Sequence, residues 1–340
     1  MSVINLSEEQ VLELLDWPLV CDAVEQSLRS ICETKVNEDQ PTAKQPTRVF
    51  TPIEKGTLLC MPGFIGNYKL KNLNDSKVFN SLGCKLVTFF KGNHELNPPK
   101  PNILGNIFLF SEETGELKAI VQASEITAWR TAAASLVATK YLFSNRSSSP
   151  KMDTVAIFGC GVQGRIHAIG LCATNSVDTI HLWNRTKSRA EALAAELNQL
   201  RQSFKNPNIK IICVDTVEDG AKNADVIVTG TSTSTPFLFR SMIKTNVHIN
   251  AVGAGQYHHN ELSEDIYTDP DTKIYVDSND GARSELKTLI APIVCEVGDI
   301  INGRSTAPAG GITIFHSMGM AVEDVAVGQA LFEKFKKKSQ

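Results

Sequence analysis

Val155-Ala156-Ile157-Phe158-Gly159-Cys160-Gly161-Val162-Gln163-Gly164 is the stretch of sequence that decides the fold. Four apolar residues predict a buried strand, and the glycines after them predict a tight turn into a helix. Such a Gly-x-Gly-x-x-Gly turn places a helix N-terminus where backbone N–H groups can bind the pyrophosphate of a dinucleotide. Gly159 permits the turn, Gly161 lets the backbone approach the pyrophosphate, and Gly164 allows close packing. Val162 and Gln163 complete the predicted site.

The next predicted strand ends in Asn184-Arg185-Thr186, at the position that selects the dinucleotide. NAD-binding chains usually carry Asp or Glu there, which accepts a hydrogen bond from the ribose 2′-hydroxyl. This sequence has no carboxylate at the strand end, and Arg185 offers a guanidinium group to a 2′-phosphate. We therefore expect NADPH as the cofactor, with NADH as a weaker substitute. Ordinary polarity at the end of a strand is the alternative interpretation.

Strands and helices alternate around this motif. The predicted strands are Val155–Phe158, Thr179–Trp183, Lys210–Val214, Asp225–Thr229, Val247–Val252 and Lys273–Val276. This alternation predicts an α/β fold with a Rossmann-type, doubly wound parallel sheet. Thr229 and Thr231 follow one strand and Val252 and Gly253 end another, so all four are candidate cofactor-binding residues. A plain polar loop is the alternative for the two threonines.

The N-terminal part of the sequence has a different pattern, in which short β-like runs follow two helices. Ser7 and Gln10 form a predicted capping box. The β-like runs are Arg48–Pro52, Thr57–Met61, Leu82–Phe90, Asn106–Phe110 and Leu117–Ala123, and long helices are predicted over Ser124–Phe143 and Ser317–Lys336. The polar segment Gly66–Asn80 is expected to be an exposed loop or insertion. We expect an α+β substrate-binding and dimerisation domain from residues 1–124 and 312–340, and an NADP-binding domain from residues 125–311.

Composition excludes several classes of protein. The 340 residues are 42% hydrophobic with a net charge of −3, which suits two ordinary domains and gives no basic surface for nucleic acid. No apolar run reaches the roughly 20 residues of a membrane span, and the N-terminus lacks the pattern of a secretory signal. Eight scattered cysteines favour reduced thiols and a cytoplasmic protein. The adjacent His258 and His259 are a possible metal pair, but neighbours in a helix or strand face different ways, so we interpret them as pocket-rim or surface residues. His94 and His316 have no clustered ligand partners, and we expect no metal site.

Three cations lie in or beside short apolar runs: Arg48, Lys85 and Arg130. Charged side chains in such runs are seldom buried without a partner, and carboxylates are scarce near them in the sequence. This arrangement favours a site for an anionic substrate. From the residues alone, three exposed or ion-paired side chains remain the simpler alternative.

Together these pieces resemble the ornithine cyclodeaminase/mu-crystallin family over essentially the whole chain. The resemblance is carried by Gln45–Arg48, Met61-Pro62, Lys85–Phe89, Thr127–Ala133, Gly159–Gln163, Trp183–Thr186, His248–Ala254 and Ser317–Asp324. It implies a two-domain homodimer in which the N-terminal halves pair and the C-terminal helix packs back onto the N-terminal half. It also implies that Arg48, Lys85 and Arg130 occupy the substrate-carboxylate positions, which makes them the candidate catalytic residues.

One departure from the family pattern concerns Gly255. Cyclodeaminases and related alanine dehydrogenases carry a catalytic Asp two residues after the Val-Gly pair, where this sequence has glycine. Cyclodeamination needs a base to activate the attacking group, so cyclodeaminase activity is not expected. In lacking this Asp, the sequence resembles the mu-crystallin branch of the family. Members of that branch are NADPH-dependent ketimine reductases that also bind thyroid hormone.

The resemblance implies NADPH-dependent reduction of a cyclic imine with an α-carboxylate, such as piperideine-2-carboxylate. Arg48 and Arg130 would hold the carboxylate, and Lys85 would complete that clamp or supply a proton. One alternative is an alanine- or opine-type dehydrogenase acting on a keto acid, or an ornithine cyclodeaminase-like enzyme. A second is an NADPH-dependent binding protein, because the arginines could equally hold the carboxylate of a thyroid-hormone-like ligand.

Overall fold

The structure, a computed structural model, describes residues 3–32, 42–146, 150–253 and 260–339. The chain divides into two compact units. Unit 1 comprises Met1–Arg130 and Gly319–Gln340, and unit 2 comprises Thr131–Met318. The divisions fall at residues 130 and 318, whereas the sequence places them at 124 and 311. No helix within the described ranges is long and apolar enough to cross a membrane.

The described residues form fifteen strands, which are numbered in chain order. They are β1 (Ile4–Leu6), β2 (Thr42–Lys44), β3 (Val49–Ile53), β4 (Gly56–Leu70), β5 (Asp75–Phe89), β6 (Ile103–Phe110), β7 (Leu117–Gln122), β8 (Thr154–Phe158), β9 (Thr179–Trp183), β10 (Lys210–Cys213), β11 (Val226–Thr229), β12 (Val247–Ala251), β13 (Thr272–Val276), β14 (Ile293–Glu296) and β15 (Ile312–His316). The first seven belong to unit 1 and the others to unit 2.

Eleven α-helices accompany the strands in the same described ranges. They are α1 (Glu8–Leu14), α2 (Trp17–Ile31), α3 (Lys71–Asn74), α4 (Ser124–Thr139), α5 (Val162–Thr174), α6 (Lys187–Leu200), α7 (Val217–Ala221), α8 (Glu264–Tyr267), α9 (Asn279–Glu285), α10 (Val297–Ile301) and α11 (Ala321–Lys338). Helix α1 begins at the predicted capping box, in which Ser7 accepts from the Gln10 backbone and Gln10 accepts from the Ser7 backbone. That prediction is confirmed.

Unit 1 is built on a seven-stranded sheet with the order β1-β7-β6-β5-β4-β2, and β3 also pairs with β4. All pairings are antiparallel except that of β1 with β7. One face of the sheet packs against α11, whose residues from Ala321 to Phe332 are buried along every side. A helix buried all round belongs to a core rather than to a surface. The C-terminal helix therefore lies against the N-terminal sheet, as the resemblance implied.

The expectation that Gly66–Asn80 forms an exposed loop is wrong. The segment is the distal end of a hairpin in which β4 and β5 continue through a short α3 turn. Tyr68, Leu70 and Phe79 point into the core, while the lysines and asparagines between them are exposed. This alternation of apolar and polar residues is the period of a half-buried strand, and the high polar content concealed it.

Unit 2 is the predicted Rossmann-type unit, and its parallel sheet is confirmed. Eight strands pair in the order β10-β9-β8-β11-β12-β15-β13-β14, all of them parallel. The central strands β8, β11, β12 and β15 are almost wholly buried, as expected for a parallel sheet covered on both faces. Strands β14 and β15 were not predicted. The C-terminal helix begins at Ala321 rather than at Ser317, because Met320 is its extended N-cap.

Candidate functional site

The glycine turn of unit 2 links β8 to α5. Gly159 has a φ of +101°, and a Cβ atom there would lie 2.6 Å from the Gly230 carbonyl oxygen. A Cβ atom on Gly164 would lie 1.8 Å from the carbonyl oxygen of Gly159, so only glycine permits this contact between turn and helix. Gly161 is the N-cap of α5, and a Cβ atom on it would meet nothing within 4 Å. The open side of the turn is thus at Gly161, as the sequence predicts for an approaching pyrophosphate.

The residues beyond β9 lie beside this turn. The Asn184 side chain accepts a hydrogen bond from the Cys160 backbone at 3.0 Å and donates one to the Thr186 carbonyl at 2.9 Å. Asn184 therefore ties the end of β9 to the glycine turn. Arg185 is exposed and forms no ion pair within the described part of the chain. Lys187, at the start of α6, pairs with Asp215 at 2.7 Å.

A buried carboxylate that sequence reasoning missed supports the loop after β11. Glu261 is 1% exposed, and its Oε1 accepts from the Thr231 backbone at 2.6 Å and from the Thr231 hydroxyl at 2.5 Å. A Cβ atom on Gly253 would lie 2.1 Å from Glu261 Oε2. Burial raises the pKa of Glu261, while the hydrogen bonds from Thr231 act against that rise. Glu261 thus connects two predicted cofactor-binding positions that follow neighbouring strands.

These residues fit a dinucleotide. The N-terminus of α5 offers backbone N–H groups at a position where Gly161 leaves space for an anion. The buried side-chain oxygen of Gln163 has no hydrogen-bond partner among the described residues. Thr229 and Val252, which are buried, join β11 to β12 through a backbone hydrogen bond of 2.9 Å. The predicted cofactor-binding residues therefore cluster at the carboxyl ends of β8, β9, β11 and β12, the edge where such sheets bind ligands.

His167 on α5 lies behind the glycine turn. Its Nδ1 is 2.7 Å from the Gln163 carbonyl oxygen, which can only accept, so Nδ1 carries the proton. Its Nε2 is 2.9 Å from the Ser135 hydroxyl and accepts from it. Burial lowers the pKa of His167 to about 4, so the imidazole is neutral at physiological pH.

The three predicted catalytic cations belong to unit 1, and the sequence did not reveal their partners. Lys85 on β5 is 1% exposed, and its Nζ lies 2.7 Å from Asp324 Oδ2. Arg130 on α4 donates from Nε to Asp324 Oδ1 at 3.1 Å and from Nη1 to Glu323 at 3.3 Å. The scarcity of carboxylates near these cations in the sequence was therefore misleading, because α11 brings two of them from the far end of the chain.

Arg48 reaches the same group of side chains through the backbone. Its Nη2 donates to the Gly319 carbonyl oxygen at 2.7 Å. Gly319 has a φ of +80°, and a Cβ atom there would lie 2.3 Å from Arg130 Nη1. A single glycine therefore lies against both arginines. The family-like stretch Ser317–Asp324 was the signal for this region, but its glycine and its two carboxylates were not assigned roles.

Lys85 has a strongly perturbed acid–base equilibrium. Burial lowers the pKa of Lys85 to about 8. The Asp324 carboxylate acts against that shift, whereas the positive charges of Arg130 and Arg48 add to it. An amine with a pKa near neutrality can give up and regain a proton under physiological conditions, which is the property of a general acid or base.

The fold and the two groups of residues define a class of protein with a Rossmann-type dinucleotide-binding unit and a second unit carrying buried cations. The sequence profile of the ornithine cyclodeaminase/mu-crystallin family matches residues 3–339. The chain belongs to that family. The catalytic Asp position of the cyclodeaminases, Gly255, and the pair His258 and His259 lie outside the described residues.

Named relatives and solved structures agree with this assignment. The chain is 31% identical over 296 residues to the ketimine reductase mu-crystallin of Rattus norvegicus, covering 86% of this chain and 85% of the relative. The Δ1-pyrroline-2-carboxylate reductase of Thermococcus litoralis in complex with NADH and L-proline matches with a TM-score of 0.81 and 25% identity over 99% and 98% of the two chains. An archaeal alanine dehydrogenase dimer with bound NAD matches with a TM-score of 0.83 and 25% identity over 100% and 98%.

Proposed function

We propose that this protein is an oxidoreductase that reduces cyclic ketimines carrying an α-carboxylate, of the piperideine-2-carboxylate type, with NADPH as the electron donor. The observation that carries the proposal is the group of cations in unit 1 formed by the buried Lys85 and Arg130 and the half-buried Arg48. The names of the rat relative and the Thermococcus structure describe reductases of C=N bonds, and the second of these substrates carries a carboxylate. Guanidinium groups are suited to such an anion because they bind carboxylates in a fixed geometry.

Arg185 supports NADPH rather than NADH as the donor. It is exposed at the position where a carboxylate would otherwise bind the ribose hydroxyl, and a guanidinium there can bind a 2′-phosphate. Lys187 and Arg189 add positive charge at the start of α6, where the helix dipole also favours an anion. The two solved structures contain NADH and NAD, so the preference for NADPH depends on these residues of the present chain.

In this mechanism the residues of unit 1 bind and protonate the imine. Arg48 and Arg130 hold the substrate carboxylate, and positioning of this kind is worth roughly 7–11 kcal/mol in favourable cases. The Lys85 ammonium donates a proton to the imine nitrogen, which makes the neighbouring carbon more electrophilic. A bound dinucleotide would supply the hydride for that carbon and would itself be oxidised, as its own C–H bond breaks. A C–H and an N–H bond form, the C=N π bond breaks, and Lys85 regains its proton from water.

The exposed apolar face of unit 1 supports a homodimer. Val49, Ile53, Leu58, Leu82 and Leu104 are 36–60% exposed and lie on the sheet face opposite the buried residues of β4. An apolar patch of this kind on a sheet usually marks an interface. The archaeal alanine dehydrogenase is a dimer by name, so we propose a second copy of this chain as the partner.

A substrate panel tests the proposed reaction. Oxidation of NADPH is followed by absorbance with piperideine-2-carboxylate, with pyrroline-2-carboxylate, and with pyruvate plus methylamine or ammonia. Oxidation by the cyclic imines alone supports the proposal, whereas a preference for pyruvate plus amine indicates an amino-acid dehydrogenase. If no substrate oxidises NADPH although NADPH binds tightly, the result favours the alternative, that the protein is a carrier for a thyroid-hormone-like ligand.

Two variants test the assigned residues. Lys85→Met removes the proton donor and should abolish reduction while leaving NADPH binding intact. Lys118→Met serves as the control, because Lys118 is a partly exposed lysine of the same unit that pairs with Glu112. Retained turnover in Lys85→Met would show that Lys85 is not the proton donor.

Arg185→Ala should weaken NADPH binding about 10- to 100-fold and NADH binding far less, since a charged hydrogen bond is worth about 1.5–3 kcal/mol. Equal losses for both cofactors contradict the 2′-phosphate assignment.

A further inference from the structure

Asp324 contacts two of the three cations at once. Its Oδ2 lies 2.7 Å from Lys85 Nζ, and its Oδ1 accepts from Arg130 Nε at 3.1 Å. The Asp324 side chain is fully buried and that of Lys85 is 1% exposed, so water contributes little to stabilising either charge. Asp324 occupies the first turn of α11, where the helix dipole favours a negative charge.

We propose that Asp324 is a positioning residue that keeps the Lys85 ammonium charged and correctly placed, and thereby sets the upper pH limit at which Lys85 can protonate the imine. The inference rests on the proposed function, because it assigns Lys85 the role of proton donor. It goes further by giving a carboxylate on the C-terminal helix control over that donor.

The surroundings of Lys85 explain why one carboxylate has this influence. The neighbours of Lys85 in the sheet are apolar, because Met61 on β4 and Ile107 on β6 pair with it. The nearby charged groups come from the other elements: Arg130 on α4, Arg48 before β3, and Glu323 and Asp324 on α11.

Within the described part of the chain, the Asp324 carboxylate is the negative charge that forms a direct ion pair with Lys85, while Arg130 pairs with both Glu323 and Asp324. Burial and the two arginines all favour loss of the lysine proton. Removing the Asp324 charge leaves those influences unopposed, so Lys85 becomes neutral at a lower pH.

The same pair accounts for the return of the proton. When Lys85 donates to the imine nitrogen it becomes a neutral amine, while the Asp324 carboxylate keeps its negative charge. A fixed negative charge 2.7 Å away favours recharging of the amine by a proton from water. The proton balance is then closed, since one proton enters the product and one returns to Lys85.

Asp324→Asn and Glu323→Gln form a matched pair for the test. Both replace a buried carboxylate on the first turn of α11 by an amide of the same shape, and both carboxylates contact Arg130. Of the two, Asp324 is the carboxylate that forms an ion pair with Lys85 among the described residues. Loss of carboxylate binding through Arg130 can therefore lower kcat/KM in either variant, whereas a change in the Lys85 equilibrium is expected in one alone.

The measurement is the pH dependence of kcat/KM for the cyclic imine. The wild-type rate should fall above pH 8, as Lys85 loses its proton. In Asp324→Asn the fall should begin about one pH unit lower, a change of about tenfold in the acid dissociation constant, while Glu323→Gln keeps the wild-type position. An unchanged position in Asp324→Asn, or an equal shift in both variants, overturns the inference.

Binding of an unreactive anion separates this inference from the proposed function. Calorimetry with pyridine-2-carboxylate reads the charge of Lys85 without any turnover, so it applies even if no imine is reduced. Affinity should decline at a lower pH in Asp324→Asn than in the wild type, and the same decline in both proteins overturns the inference. Asp324→Glu keeps the charge and should retain the wild-type profile, which gives a readout if the asparagine variant does not fold.

Discussion

Gly319 shows how one backbone position can control two side chains. Its carbonyl oxygen accepts from Arg48, and its missing Cβ leaves room for the Arg130 guanidinium. Gly319→Ala should raise the KM for the imine by about 10-fold or more, because displacing Arg130 weakens charged hydrogen bonds worth about 1.5–3 kcal/mol each. Steady-state kinetics at saturating NADPH measures this effect.

Gly115→Ala is the matched control for that substitution. Gly115 has a φ of +75°, close to the +80° of Gly319, but a Cβ atom there meets nothing within 4 Å. Both variants therefore carry a similar backbone penalty of about 1–2 kcal/mol. If Gly115→Ala raises KM as much as Gly319→Ala does, backbone strain and not the position of Arg130 is responsible.

The sequence predicted most residues of the candidate site but not the contacts between them. Lys85, Arg48 and Arg130 are unusual as charges within apolar runs, and a Gly-x-Gly-x-x-Gly turn after a strand is visible by inspection. Glu261 carries no such signal, because a carboxylate in a polar segment is ordinarily solvated. Glu323 and Asp324 do lie between apolar residues, Ala321-Val322 and Val325–Val327, but a carboxylate in a helix is ordinarily solvated as well. Only the fold shows that these three are buried.

The loop after β11 is held by the carboxylate of Glu261, which lies 30 residues further along the chain than Thr231. Glu261→Ala leaves the Thr231 N–H and hydroxyl without their acceptor, so the loop should lose its fixed position. We expect NADPH to bind about tenfold more weakly in a fluorescence titration. Glu261→Gln keeps one acceptor oxygen and should restore part of the affinity.

Glu264→Ala serves as the control for that prediction, since Glu264 is exposed at the start of α8 in the same segment. Unaltered NADPH affinity in Glu261→Ala would show that Thr231 does not need this support.

His167 on helix α5 is another buried titratable group, and we expect it to affect the stability of the fold. His167 has a pKa of about 4 in the folded protein and about 6.5 when unfolded, so the unfolded chain binds more protons below pH 6.5. The unfolding free energy should therefore decrease as the pH falls from 6.5 towards 4, by up to about 1.4 kcal/mol per pH unit. Urea unfolding at several pH values measures the slope.

His167→Gln should flatten that slope, and His94→Gln, at an exposed histidine, controls for the removal of a histidine as such. An identical slope in wild type and His167→Gln contradicts the assignment of the acid sensitivity to His167.

The pattern of apolar residues predicted the central strands of unit 2, but it missed β15 and the hairpin over residues 66–80. Strands β8 and β11 are nearly continuous apolar runs, and β9 and β12 alternate apolar with polar residues, so the positions of all four could be read directly. Strand β15 is equally buried, but it has only five residues and lies between the Pro308–Gly311 stretch and the long C-terminal helix, so it was not predicted. The hairpin over residues 66–80 was not predicted because the exposed side of each strand is rich in lysine and asparagine, which made the segment look like a polar loop.

The proposed dimer can be tested by placing charges on the face that would form its interface. Leu82→Asp combined with Leu104→Asp places two charges on the exposed apolar face of unit 1 and should convert a dimer into a monomer. Light scattering coupled to size-exclusion chromatography measures the mass. Ile290→Asp with Val294→Asp, two exposed apolar residues of unit 2, is the matched control. If the variant with Leu82→Asp and Leu104→Asp is still a dimer, this face of the sheet is not the interface.

The order of the chain has a consequence for synthesis on the ribosome. Arg130 and Asp324 are 194 residues apart, and unit 1 consists of two stretches separated by the whole of unit 2. Unit 2 comes from one continuous stretch and can fold while translation continues. Lys85 and Arg130 must wait for their carboxylates until α11 emerges. A nascent chain therefore can complete unit 2, with its dinucleotide-binding turn, before it can complete the proposed anion-binding site of unit 1.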